Sequence, residues 1–308
     1  MNDDAMMHAA ALLAAKDDHD PADVLGAFEG AAERFMTPCS EGTMLWHAFG
    51  DGPPLALFHG GHGSWLHFLP MIPALAAHRR LLLPDLPGFG GSADPPTMPD
   101  EGVGLADAVS QPVEEGLLQI VGDTAPLAIG GFSFGAVVAS RIAARLGERV
   151  SHLVLIGAPG LGLAIAERPP LHKVRGVDAA SLEAVHRANL AALMIADPAN
   201  IDRLAVRIQA TNVPRARTPS RLASRTTALR DALPNVAARV VAIYGERDVV
   251  APQHDEREAL IASLAPGARQ HVLPGIGHWA PYEAPDDVAQ LILEELGAPA
   301  PARADPPL

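Results

Sequence analysis

The chain has 308 residues, 48% of them apolar and 19% charged, which suits one large domain or two smaller ones and excludes a disordered chain, a collagenous rod and a coiled coil. Its 36 acidic and 23 basic residues give a formal charge of −13, which repels phosphate backbones and anionic bilayers, so neither nucleic acid nor membrane is expected as a partner. The single cysteine, Cys39, can close no intramolecular disulfide and supply no cysteine-rich metal site, and this points to a reducing, cytoplasmic setting.

Residues 1–39 read as an N-terminal extension. The apolar run from Ala5 to Ala15 follows Asp3 and Asp4, where a signal peptide would carry positive charge, and it is too short to span a bilayer; it is expected to be loose or helical. From residue 40 the pattern becomes a relay of short apolar runs closed by Gly or Pro and separated by Ala- and Leu-rich stretches, as a parallel sheet covered on both faces requires. Strands are expected at Leu55–Phe58, Arg80–Leu83, Leu127–Ile129, Leu153–Ile156, Val240–Tyr244 and His271–Leu273, with Thr43–Phe49 joined to the first as a hairpin through Gly50-Asp51-Gly52. Helices are expected at Ala136–Leu146 and at Asp286–Leu296, the latter closed by Gly297.

The relay stops between residues 161 and 229, where helical segments such as Ser181–Met194 and Asn200–Ala210 replace the apolar runs. This interval predicts a helical cap inserted into a core made of residues 40–160 and 230–297. The interval holds ten Lys and Arg against five acids, so it carries +5 while the remainder carries −18. That asymmetry suits an anionic ligand. Residues 298–308 are mostly Ala and Pro and are expected to form a disordered tail.

Gly131-Phe132-Ser133-Phe134-Gly135 directly follows one expected strand and precedes an expected helix. That is the setting of a nucleophile elbow, whose sharp turn needs small residues two places before and after the serine. A serine hydroxyl needs a base and a group that fixes the base's tautomer. Asp248 in Gly245-Glu246-Arg247-Asp248 and His278 in Gly275-Ile276-Gly277-His278 each follow an expected strand, at the edge where parallel sheets bind ligands. The order Ser133, Asp248, His278 makes these the candidate catalytic residues. The oxyanion is expected on the backbone N–H groups of Gly61, in His59-Gly60-Gly61-His62-Gly63-Ser64-Trp65, and of Phe134. His59 and His62 lack an accompanying carboxylate or cysteine cluster, so no metal is expected, and His59 is read as a brace for the loop.

Together, His59–Trp65, Asp85-Leu86-Pro87-Gly88-Phe89-Gly90-Gly91-Ser92, Gly131–Gly135, Gly245–Asp248 and Gly277-His278-Trp279 resemble the α/β-hydrolase superfamily over about residues 40–296. The resemblance implies an α/β fold with a mostly parallel eight-stranded sheet and a helical cap after the sixth strand. Trp65, the Asp-Leu-Pro-Gly-Phe-Gly stretch, and Trp279 with Glu283 are further similar to the meta-cleavage-product hydrolases. Those enzymes split a carbon–carbon bond in dienol diketo acids and hold the substrate carboxylate with a cap arginine. Two features depart from that family: Phe132 stands where a polar side chain is usual, and the loop after His59 is poorer in glycine.

The expected activity is therefore a cofactor-free serine hydrolase acting on a small, largely apolar ester, thioester or lactone that can carry a carboxylate. Carbon–carbon cleavage of a dienol diketo acid is the alternative, and a non-catalytic ligand-binding protein on the same fold is an alternative of another class. Gly60, His62, Trp65, Phe132, Arg215, Arg217, Arg221 and Trp279 are the expected substrate contacts. A small-molecule substrate is the expected partner, with a homodimer left open.

Overall fold

A computed structural model describes residues 3–122, 126–164 and 170–297. Its strands are β1 (Glu33–Cys39), β2 (Gly42–Phe49), β3 (Pro54–Phe58), β4 (Arg80–Pro84), β5 (Leu127–Phe132), β6 (Val150–Ile156), β7 (Arg239–Gly245) and β8 (Arg269–Leu273). They form one sheet in the order β1-β2-β4-β3-β5-β6-β7-β8. Strands β3 to β8 run parallel, while β2 is antiparallel to both its neighbours. Every residue of β5 is buried, which explains why the central runs are apolar throughout rather than alternating.

The helices are α1 (Asp3–Ala14), α2 (Pro21–Ala31), α3 (Ile72–Ala76), α4 (Gly102–Val121), α5 (Phe134–Leu146), α6 (Ala179–Leu193), α7 (Arg203–Asn212), α8 (Arg221–Ser224), α9 (Ala228–Ala232), α10 (His254–Leu264), α11 (Ala280–Glu283) and α12 (Pro285–Glu295). They cover the sheet in two layers. One core cluster packs α4, α5, α9 and α10 on one face through Val109, Ile142, Leu229 and Ile261. The other packs α1, α2, α3, α7 and α12 on the opposite face through Ala9, Phe28, Leu75, Ile208 and Ile292. Helices α6 to α9 fall between β6 and β7, where the apolar relay is broken.

Two expectations about the first strands are corrected. Strand β2 does not form a hairpin with β3; it pairs with β1 on one side and β4 on the other. The connection through residues 50–53 crosses the start of β4, where the Arg80 amide donates to the Pro53 carbonyl at 3.2 Å. Gly50 has φ +71, and a Cβ there would stand 2.2 Å from the Ala76 carbonyl oxygen, so only glycine permits this crossing. The chain thereby lands β3 beyond β4, in the centre of the sheet.

The second correction concerns residues 1–39, which are not all extension. Residues 33–39 form the edge strand β1, whose register with β2 runs from Glu33 opposite Ala48 to Cys39 opposite Gly42. Its sequence holds Glu33, Arg34 and Pro38, residues tolerated at an edge because one side of the strand has no ladder to complete. Ahead of it, Asp20 caps α2 by accepting from the Ala22 amide at 2.8 Å, and Pro21 fills the first helical position. Lys16 pairs with Asp202 at 2.6 Å and lies 5.3 Å from the Tyr282 ring centre, which fastens this region to the start of α7. Cys39 is a buried free thiol. No helix among the described residues is long and apolar enough to cross a membrane. The expected tail, residues 298–308, lies outside the described residues, as do Glu167 and Arg168 of the charge count.

Candidate active site

Strand β5 passes into α5 with only Ser133 between them. Ser133 has φ 53 and ψ −117, a conformation a non-glycine residue adopts at a cost of about 1–3 kcal/mol. Its amide donates to the Ile156 carbonyl at 2.8 Å, tying the turn to β6. The flanking glycines are sterically required. A Cβ on Gly131 would meet the Gly135 carbonyl group at 2.2 Å, and one on Gly135 would meet the Phe58 carbonyl oxygen at 1.9 Å.

The loops after β7 and β8 bring two further side chains to this turn. His278 Nε2 lies 3.0 Å from Ser133 Oγ, and His278 Nδ1 lies 2.9 Å from Asp248 Oδ2. Asp248 Oδ1 accepts from the amides of Val250 at 2.7 Å and Ala251 at 3.1 Å. Burial alone would raise the Asp248 carboxyl, but the charge and hydrogen bond of His278, with the two amides, override it and hold the group below its ordinary value. Behind this loop the buried Arg257 donates to the Ala251 carbonyl and lies 3.5 Å from the Tyr244 ring centre, fixing the turn that presents those amides. Nothing in the local sequence marks Arg257, which sits in the first turn of α10 without a motif.

The loop after β3 lies over Ser133. It makes that contact through Gly60, where a Cβ would meet the Phe132 ring at 2.9 Å and Ser133 Cβ at 3.2 Å. His59 Nδ1 donates to the Gly60 carbonyl at 2.8 Å, and His59 Nε2 accepts from the Leu86 amide at 2.9 Å. His59 thus braces this loop against the one after β4 and has no lone pair left for a metal. Among the described residues no group of three or more His, Cys, Asp or Glu could hold a metal ion. His67 is buried, and its Nδ1 accepts from the Gly60 amide at 3.3 Å. Burial, with His59, His278 and His62 nearby, lowers its pKa well below the usual histidine value. His62 has φ 54 and is held below the ordinary histidine range by burial and by the Arg221 charge.

Ser133, His278, Phe132, Gly61 and His62 line one cavity of about 410 Å³. Its other walls come from residues 171–175 and from α6, α7 and α8, with Asn189, Leu193, Met194 and Gln209 among the contributors. Lys173, Arg175, Arg221 and Arg225 also line it, and no carboxylate does. None of these four cations has an ion-pair partner among the described residues.

Several expected substrate contacts lie elsewhere. Trp65 stacks on His47 at 4.5 Å between ring centres, and Trp279 is buried with its Nε1 donating to the His67 carbonyl at 2.9 Å. Both indoles belong to the core cluster on one face of the sheet. The Phe134 side chain is likewise buried, 6.1 Å from Phe89. Arg217 is bound to Asp94 at 2.6 Å on the surface, and Arg215 is exposed outside the cavity. Of the three expected arginines only Arg221 reaches the cavity; Lys173, Arg175 and Arg225 join it there. The charge count of the interval contained all three, but spacing alone could not show which side chains turn inward.

Residues 55–291 match the alpha/beta hydrolase family, and the chain belongs to that family. The relatives it resembles include hydrolases and an acetyltransferase component. The chain is 29% identical over 269 residues to the 2-hydroxymuconate semialdehyde hydrolase of Pseudomonas sp. (strain CF600), spanning 80% of this chain and 87% of that one. It is 30% identical over 286 residues to the dihydrolipoyllysine-residue acetyltransferase component of the acetoin cleaving system of Pseudomonas putida, spanning 87% of this chain and 72% of the other. Among solved structures, the meta-cleavage product hydrolase from Pseudomonas fluorescens IP01 superposes with a TM-score of 0.67 at 22% identity, covering 85% of this chain and 97% of its own.

Proposed function

We propose that Ser133 is the nucleophile in hydrolysis of a small, largely apolar carbonyl compound carrying an anionic group, such as an ester or thioester. The observation that carries this reading is the hydrogen-bonded line Ser133–His278–Asp248, at 3.0 and 2.9 Å, opening into a cavity lined by four cations and no carboxylate. His278 Nε2 takes the proton of Ser133 Oγ as the oxygen attacks the carbonyl carbon. Asp248 keeps the other ring proton on Nδ1 and stabilises the imidazolium that forms. The tetrahedral oxyanion is received by the backbone amides of Gly61 and Phe134. Phe134 is the first residue of α5, so its amide has no intrahelical acceptor. His278 then returns the proton to the leaving group, and a water deprotonated by His278 releases the acyl group from Ser133. The described residues of the interval 161–229 serve as the cap over this site. The basic cavity receives the anionic group of the substrate, which limits solvent around the reacting carbonyl.

Carbon–carbon cleavage is the second reading, and it is favoured by the resemblance to a 2-hydroxymuconate semialdehyde hydrolase. Under it, His278 moves protons during ketonisation before the carbon–carbon bond breaks. The buried Phe132 ring, 4.9 Å from His278, offers no polar group to a dienolate and weighs toward acyl hydrolysis. A panel of short p-nitrophenyl esters, a half-ester of a dicarboxylic acid and a coloured dienol diketo acid separates the two, with Ser133→Ala as control. Faster turnover of the half-ester than of the dienol diketo acid is expected; the reverse order would establish the second reading instead.

A further inference from the structure

Glu283 stands where the helical segment between β6 and β7 meets the loop that carries His278. Its Oε1 accepts from the amides of Ala196 and Asp197, each at 3.0 Å, and its Oε2 accepts from Gly277 at 2.8 Å and from Ala196 at 3.1 Å. Three amides from two separate parts of the chain converge on one carboxylate. An anion satisfies them all, whereas a side-chain amide would set its own NH₂ donor against one of them.

The contact continues on the other side of His278, where the Trp279 amide donates to the Met194 carbonyl at 2.7 Å. Both residues flanking His278 are therefore fastened to residues 194–197, one through Glu283 and one directly. The approach leaves Gly277 no room for a side chain: a Cβ there would stand 2.7 Å from the Ala196 nitrogen and 2.9 Å from Glu283 Oε2. Leu193 and Met194, at the end of α6, line the Ser133 cavity. One short stretch thus touches whatever fills the cavity and also holds the loop that presents the imidazole.

We infer that Glu283 is a positioning residue. By latching residues 194–197 to Gly277 it sets the reach of His278 toward Ser133, and it makes that reach depend on what packs against Leu193 and Met194. The inference rests on the reading of Ser133, His278 and Asp248 as the catalytic relay. Glu283 itself touches no reacting atom and transfers no proton.

The test uses the full chain with a p-nitrophenyl ester, comparing wild type, Ser133→Ala, Glu283→Gln and Gly277→Ala, each followed as kcat, KM and the pH profile of kcat/KM. Glu283→Gln is expected to lower kcat by about 10²-fold with KM little changed, as a misplaced catalytic group does. The acid limb of the profile should also move, because a loosened His278 no longer keeps its place between Asp248 and Ser133. Loss of folded protein alone would scale the profile down and leave the limb in place. Gly277→Ala wedges the same contact with the carboxylate intact and should reproduce the signature, which also covers the case in which Glu283→Gln does not fold. Wild-type kcat and an unmoved limb in Glu283→Gln, or a uniform loss with an unmoved limb in both variants, overturns the inference and leaves the nucleophile reading intact. Hydrolysis that persists in Ser133→Ala overturns the nucleophile reading, and the latch with it.

Discussion

The Leu86 amide donates to Nε2 of His59 at 2.9 Å, and this one bond joins the loop after β4 to the loop over Ser133 through a fully buried imidazole. Because burial outweighs the helpful Gly60 hydrogen bond, the His59 pKa falls to about 4. The unfolded chain then binds a proton between pH 6.5 and 4 that the folded chain refuses, so His59 removes stability as pH falls through that window, by about 3 kcal/mol in all. His47, also lowered to about 4, chiefly by burial, acts in the same direction. Asp85, pushed up to about 6 chiefly by burial, acts in the opposite one. Urea unfolding of wild type and His59→Gln across pH 4 to 7 should show a shallower acid loss in the variant; identical slopes would contradict this account of His59.

Ser133 is strained and chemically indispensable in the proposed mechanism, so function and stability should separate there. Replacement by glycine relieves the positive φ, and Ser133→Gly should be about 1 kcal/mol more stable than Ser133→Ala. Both should lose roughly 10³-fold or more in kcat. Equal melting temperatures for the two variants would mean that the turn carries no strain.

Gly135 offers the converse case. Its substitution by alanine places a carbon 1.9 Å from the Phe58 carbonyl oxygen, an immovable backbone atom, and should cost about 3 kcal/mol or more. Thermal unfolding of Gly135→Ala within a degree of wild type would show that β3 and α5 can separate without penalty.

The four cavity cations make a prediction about specificity. Arg221→Gln and Arg225→Gln should each lower kcat/KM for an acidic half-ester by about tenfold at low salt, with little change for the neutral diester. The difference should shrink at high salt, because both side chains are exposed at the mouth. Arg217→Gln, whose partner is Asp94, should behave as wild type on both. Parallel losses on acid and neutral substrates would remove the anionic group from the proposed function.

The parts of the site legible in the sequence are those fixed by a single turn. Ser133, Asp248 and His278 each follow a strand within a few residues, so chain order alone places them at one sheet edge, and the distances among them agree. Strand β1 was not legible because Glu33, Arg34 and Pro38 spell a loop unless the strand is known to be an edge. The partner of β2 was not legible because Gly50-Asp51-Gly52 is as good a hairpin turn as a crossing, and only the backbone of residues 76–80 decides between them. Trp65 and Trp279 adjoin catalytic motifs in the chain, yet adjacency says nothing about direction, and both rings turn into the core. Glu283 was marked only by its place beside Trp279 in the family resemblance; its bonds to the Ala196 and Asp197 amides, more than 80 residues away in the chain, leave no local pattern.

Strand β1 also bears on how these molecules meet each other at one side of the sheet. An open eight-stranded sheet has two outer rims at which another chain could add a strand, and residues 33–39 form one of them, β8 the other. Pro38 has no amide hydrogen to give, while the exposed Glu33 and Arg34 carry charges paired to Arg80 and Glu29. A second sheet approaching this side would lose one rung of its ladder and would have to dehydrate two partly exposed ion pairs, so crowded solutions of the protein should resist edge-to-edge aggregation at β1.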